Sequence, residues 1–166
     1  MPSQFHKINM SKLLDLLDNY GKDHQTLTNK IMHWIAIPAI FYSTIGFLWF
    51  IPVPEQFRSF SFPINWATIV LVIVFIYYSQ LSRSLSWGMV FIISTIIGSQ
   101  YKLESIYGSS LLMQIYLVIF VIAWFFQFIG HMIEGNKPSF FNDVRYLLIG
   151  PLWLLSLLYK NFGIRF

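Results

Sequence analysis

Long apolar runs separated by short polar connections dominate the chain. The first, Ile31 to Val53, is closed by Pro52 and Pro54 and exceeds the roughly 20 residues that a helix needs to cross a hydrocarbon core. Ile64 to Leu81 and Leu85 to Tyr101 follow, joined only by Ser82-Arg83-Ser84, so the spacing predicts an antiparallel helical hairpin. A fourth run, Leu111 to Ile133, has Gly108-Ser109-Ser110 as its start signal and Gly135 as its stop. From Tyr146 to Tyr159 only about 14 residues are uncharged, and Gly150-Pro151 falls in their middle, which suits a re-entrant or interfacial segment. Met10 to Tyr20 has a different period. Leu13, Leu14, Leu16 and Leu17 form one face and Lys12, Asp15 and Asp18 mostly the other, the pattern of an amphipathic helix lying on a surface. The expected fold is therefore an all-α polytopic membrane helix bundle. It has four transmembrane spans, a short re-entrant or interfacial C-terminal helix and an N-terminal amphipathic helix, with residues 1–166 forming a single integral-membrane domain.

Composition agrees: 56% of the 166 residues are hydrophobic, 19% aromatic and only 11% charged, far from the balance of a soluble domain. The net charge of +4 could suggest nucleic acid, but the basic residues form no run or aromatic-interleaved stripe. They flank the apolar runs instead, and no nucleic-acid partner is expected. Four spans put Lys7, Lys12, Lys22, Lys30, Arg83, Lys137, Arg145, Lys160 and Arg165 on one side and only Arg58 and Lys102 on the other. A fully spanning fifth segment would move Lys160 and Arg165 across and weaken that bias, so four spans with both termini cytoplasmic are favoured. No short apolar stretch with a cleavage site precedes the first span, so no cleaved signal peptide is expected. There is no internal repeat at a solenoid period.

Candidate chemistry lies in two stretches beside the spans: Tyr20 to His33 before the first, and Gln127 to Pro138 at the end of the fourth. An even number of crossings separates them, so both end on the same, cytoplasmic side. His24, His33, His131 and Glu134 could converge there on one metal ion. A single histidine at a span end is more often a hydrogen-bonded interfacial residue than a ligand, and His6 keeps that bland assignment. The other three are less easily dismissed. Ionisable groups at the edge of a bundle are costly and need partners. His24 and His33, nine residues apart, would face opposite ways on one helix, so the helix must break between them, with Thr28 or Asn29 as the cap of the following span. His131 and Glu134 share a face, and Gly130 permits another helix to approach closely. Asp23, Gln25 and Asn29 crowd His24 as further ligands or orienting partners. With no cysteine in the chain, imidazole and carboxylate donors suit Fe(II), Zn(II) or Mn(II), a choice left open by the residues.

The two stretches resemble the family of membrane 2-hydroxy fatty acid dioxygenases. The shared pattern is Tyr20, His24, Asn29, His33 and Pro38 early in the chain, then Trp124, Gln127, Gly130-His131, Glu134-Gly135, Pro138 and Gly150-Pro151. Where the family pattern commonly has Asn-Pro this chain has Thr26-Leu27, and it has Ala36 in place of a common glycine. The resemblance implies that Fe2+ and O2 shorten a 2-hydroxy fatty acid by one carbon, as in fatty acid alpha-oxidation. It also implies that His24, His33 and His131 hold the iron, with Glu134 either a further ligand or an orienting group. Asp23, Asn29 and Gln127 are then expected to orient the histidines, and Lys22, Lys30 or Arg145 to hold the substrate carboxylate. The lipid bilayer, of a bacterial inner membrane or the endoplasmic reticulum, is the expected setting.

Two other readings compete. A haem-binding membrane protein would use His33 and His131 as axial ligands, leaving His24 without a role. A non-enzymatic structural or transport protein would leave all the histidines interfacial. Transporters usually carry paired broken helices, whereas here only the last segment has a Gly-Pro break.

Overall fold

The computed structural model describes residues 4–22, 24–58, 64–135 and 146–166, with side chains from Met10 onward and excepting that of Arg58. Among these residues the elements are all helical: α1 (Gln4–Lys22), α2 (Leu27–Phe50), α3 (Glu55–Arg58), α4 (Trp66–Leu81), α5 (Arg83–Ile133) and α6 (Ile149–Asn161). Asp23, Lys137, Pro138 and Arg145 lie outside the described residues, as does the side chain of His6.

α1 is amphipathic but longer than the expected Met10 to Tyr20. Its buried stripe is Leu13, Leu17 and Tyr20, the i, i+4, i+7 set that a helix aligns on one side. Leu14 is 43% exposed, because 100° per residue carries it off that stripe. The stripe packs on Tyr78, Leu81 and Leu85 near the α4–α5 turn and on Leu152 and Trp153 of α6, so α1 belongs to the core instead of lying apart from it.

The chain between α4 and α5 is tighter than three residues. Ser82 alone is non-helical, ending α4 through its N–H bond to the Tyr78 carbonyl and capping α5 by accepting from the Leu85 N–H. α5 is continuous by hydrogen bonding over 51 residues, which would reach about 75 Å if straight at 1.5 Å per residue. Gly108 breaks it, with φ 71° and ψ 161°, a backbone setting open in practice to glycine alone. The two arms fold back on each other, so that the Tyr116 hydroxyl donates to Gln100 Oε1 across sixteen residues at 2.6 Å. The expected Gly108 start signal is thus the corner of a helical hairpin.

α2 fills the groove of that hairpin, antiparallel to the second arm. Tyr42 pairs with Ser99, and Trp49 Nε1 donates to Glu104 Oε2 at 2.9 Å near the corner. Gly46 lies face-on to the Tyr116 ring, leaving no room for a β-carbon. At the opposite end of the bundle α6 begins with Gly150 against Ile37 and finishes with the Tyr159 hydroxyl donating to the Ser84 carbonyl, at the start of α5. Gly150-Pro151 does not interrupt this segment, contrary to the expectation. The helix starts at Ile149, so proline occupies its first turn, where its missing N–H has no helical acceptor to lose.

Leu27–Phe50 and Arg83–Ile133 are long and apolar enough to cross a membrane by length and composition, and Trp66–Leu81 is apolar but shorter. Much of their surface faces outward, including Trp87 at 74%, Phe91 at 75% and Phe125 at 63% exposure, compatible with membrane association. The tightest packing in the bundle is testable: Gly46→Ala forces a methyl group into the Tyr116 ring, which Gln100 holds in place. It is expected to cost about 1–3 kcal/mol, read as a lowered thermal midpoint of the purified protein, while Gly98→Ala, in open space, should be neutral.

Candidate metal centre

The centre forms where the α1–α2 connection, the first turns of α2 and the last turn of α5 meet. The helix break required between His24 and His33 is present, but its cap is Thr26 and not Thr28 or Asn29: the Thr26 side chain accepts from the Asn29 N–H at 3.4 Å. The cap explains how Thr26-Leu27 can stand where an Asn-Pro pair is common. Asparagine and threonine are both good N-caps, and the next residue is the first helical position, which tolerates proline without requiring it. A turn closed by the His24 N–H on the Gly21 carbonyl then swings His24 back toward α2.

His24, His33 and His131 come together, all buried, with one candidate ligand atom from each within 4.8 Å of the others. Two nitrogens sharing one ion at about 2.1 Å each are separated by roughly 3–4 Å, so small ring movements suffice to close this set on a metal. The ring centroids are 4.3 Å apart for His24 and His33, 4.9 Å for His33 and His131, and 5.4 Å for His24 and His131. The rings meet at 61–79°, edges converging. Nδ1 of His24 lies 2.6 Å from the Tyr20 carbonyl oxygen and Nδ1 of His33 lies 3.0 Å from the Asn29 carbonyl oxygen. A carbonyl only accepts, so each Nδ1 carries the proton and each Nε2 keeps its lone pair. His33 Nε2 is buried and meets no hydrogen-bond donor among the described residues. That arrangement costs about 1–3 kcal/mol unless something takes the lone pair. Three buried imidazoles, two of them held in this tautomer, fit a metal ion.

Gly130 makes the approach possible. A β-carbon there would overlap Asn29 Oδ1 and lie 2.9 Å from His33 Cε1. One turn before His131, Gln127 is buried on the same face of α5 and, with Tyr20, Trp124 and Tyr146, lines a narrow cavity.

Glu134 is not among the converging groups. Both of its oxygens are used on the α1–α2 connection: they accept from the Gln25 N–H at 2.6 Å, the Thr26 N–H at 3.1 Å, the Thr26 hydroxyl at 2.7 Å and the Asn29 amide at 3.0 Å. Burial alone would raise its pKa, but these donors outweigh it and hold the carboxyl down at about 2. The negative charge also sits at the N-terminus of α2, where the helix dipole favours it. Gly135 ends α5 with φ 80°, its N–H donating to the Met132 carbonyl, as its place after Glu134 suggested.

Three participants were not singled out by sequence. Tyr20 stacks on His24 at 4.4 Å and 15°, and Trp153 of α6 lies 5.4 Å from the same ring. Tyr20 belonged to the family pattern without a role, and nothing in the spacing of Trp153 could pair it with His24. Lys160 is the third. With Lys22 and Lys30 it borders an opening of about 450 Å³ that has His24 in its wall. Lys160 had counted only as a topological charge.

Two outcomes check this geometry. Gly130→Ala should part α2 from α5 at the histidines and reduce the metal retained by the purified protein, measured by elemental analysis, while the helical circular dichroism survives. The Glu134 tie should be complete above a carboxyl's ordinary value of 4.5 and should be lost as pH falls through about 2, since its folded pKa is depressed. Amide protection at Gln25 and Thr26 should follow that course, and Glu134→Gln should show weaker protection at neutral pH that no longer varies with pH in this range.

No curated protein and no solved structure matches the chain. The family comparison does: residues 10–162 match the profile described as 2-hydroxy-palmitic acid dioxygenase Mpo1-like, so all three histidines and Glu134 fall inside the match and the chain belongs to that family.

Proposed function

We propose that this protein is an Fe(II)-dependent dioxygenase that cleaves 2-hydroxy fatty acids with O2 to fatty acids one carbon shorter and CO2. The observation that carries the reading is the buried trio of His24, His33 and His131 in a chain of this family. In R–CHOH–COOH + O2 → R–COOH + CO2 + H2O the bond between C1 and C2 breaks. The four electrons lost by the substrate are those that O2 accepts, so no external reductant is needed. Bound Fe(II) would supply a single centre at which a 2-hydroxy carboxylate and O2 can meet.

The chain's own residues have separate tasks in this reading. His24, His33 and His131 hold the ion through nitrogen, and the Tyr20 and Asn29 carbonyls keep two of those rings in the ligating tautomer. Glu134 acts through the chain that carries His24 and through Asn29, as an orienting group instead of a ligand. Gln127 supports His131 from one turn away. Tyr20 and Trp153 cover the His24 ring and keep water off it. Lys22 and Lys30, joined by Lys160, draw the anionic carboxylate to the opening beside His24. A haem bound between His33 and His131 has no such support: the His24 ring occupies the space beside them, and Gly130 packed on Asn29 closes the seam a macrocycle would need.

We further propose that the bundle is a multi-pass integral membrane protein: α2, α4 and the two arms of α5 span the bilayer, α6 is re-entrant, and the histidines lie on the cytoplasmic side. In support, α6 ends beside Ser84, at the same end of the bundle as Lys22 and Lys30, and its 13 residues reach only about 20 Å of a roughly 30 Å core.

Purified protein should contain close to one iron per chain and consume O2 with 2-hydroxypalmitate in a one-to-one ratio to the acid cleaved. Alanine at His24, His33 or His131 should each remove the iron and reduce turnover by at least about 10³-fold. Two of the three variants retaining activity would refute the site. Glu134→Gln should keep turnover but weaken iron binding by about 10- to 100-fold, the usual cost of losing a group that orients a ligand.

A further inference from the structure

On the next turn of α2 beyond Lys30, Trp34 begins an apolar groove of about 600 Å³ that runs between α2, α5 and α6. α6 is shared in the same way: Leu157 and Lys160 border the polar opening and Leu158 borders the groove. The groove follows α2 from Trp34 to Tyr42, roughly 12 Å at 1.5 Å per residue. Tyr42 lines its far end along α2, with Ile96 and Ile119 of α5 also in its wall, and the Tyr42 hydroxyl is tied to Ser99 Oγ at 2.9 Å. A cationic mouth with a histidine in its wall, and an apolar groove one helical turn further along α2, together match an anionic amphiphile of one polar head and one long tail. A volume of this size falls in the ordinary range for small-molecule sites.

We infer that this groove holds the acyl chain of the 2-hydroxy fatty acid, with its head at the His24 mouth, and that Tyr42, Ile96 and Ile119 set the chain length accepted. The inference rests on the proposed substrate class. It adds where the tail lies and which residues measure it. Ala39 lines the groove midway along α2 and is only half-buried, so a larger side chain there can grow into the groove instead of into the core. Ala39→Phe shortens the space available to the tail, and Ile119→Ala lengthens it.

The kcat/KM for 2-hydroxy acids of increasing chain length should shift in opposite directions in the two variants. Ala39→Phe should lose about fourfold on long chains for each methylene group expelled and leave short chains unaffected. Ile119→Ala should move the optimum to longer chains. An equal loss at every chain length in both variants, or no shift in either, overturns the inference. Should Ala39→Phe not fold, Ile119→Ala decides alone.

A binding measurement, made without turnover, separates failure of the groove from failure of the dioxygenase reading. A 2-hydroxy fatty acid brominated along its tail should quench the fluorescence of Trp34, identified by comparison with Trp34→Phe, and unlabelled 2-hydroxypalmitate should reverse the quenching. Equal quenching by a brominated phosphatidylcholine, with no reversal, would assign the groove to ordinary bilayer lipid and sink the inference. Reversible quenching in a protein that consumes no O2 would keep the groove and discard the reaction.

Discussion

The contact between α2 and α5 at Gly130 is the constraint on which the rest of the site depends. Only an absent side chain lets the two helices come close enough for Asn29 to meet the Gly130 backbone and for His33 to lie beside His131. Glu134, one turn further on, fastens the same seam from outside by collecting four donor groups from Gln25, Thr26 and Asn29. The seam therefore holds two ligand-bearing helices in register and also pins the connection that delivers the third histidine. Each part is short range, and together they convert three distant chain positions into one cluster.

Polar groups deep in an apolar bundle are expensive, and this bundle deals with them in pairs. At the corner end, Gln100 is taken up by Tyr116, Ser99 by Tyr42 and Glu104 by Trp49, each pair tying an arm of the α5 hairpin to its neighbour. At the other end the histidines direct Nδ1 to backbone carbonyls and leave Nε2 of His33 without a donor. Gln100 Nε2 is likewise buried without a partner among the described residues, so what distinguishes the histidine end is three imidazoles whose nitrogens lie close enough to share one ion.

α6 lies between the candidate metal centre and the apolar groove, with one side turned to each. One side brings Trp153 to His24, while Leu154, Leu155 and Leu158 line the groove. Its first turn, carrying Gly150 and Pro151, fits against Ile37 because glycine presents no side chain there.

Much was legible from residue order alone. Apolar run lengths marked the helices, Gly135 marked an end, Gly108 marked a helix start that the structure makes the corner of a hairpin, and nine residues at helical pitch demanded the break between His24 and His33. Those are local properties, set by backbone sterics and by the 100° turn of a helix. The cap fell at Thr26, not two or three residues later, because a threonine side chain can accept from Asn29 while Glu134 holds its backbone, and that partner is more than a hundred residues away. The same distance in sequence hid the pairing of Trp153 with His24, the gathering of Lys160 with Lys22 and Lys30, and the choice of Glu134 as a clamp. Sequence determined which segments are helical and which side chains could bind a metal. Which of them meet was decided only by tertiary packing, because a contact between distant segments depends on how closely two helix backbones can approach, and at this site the approach turns on Gly130.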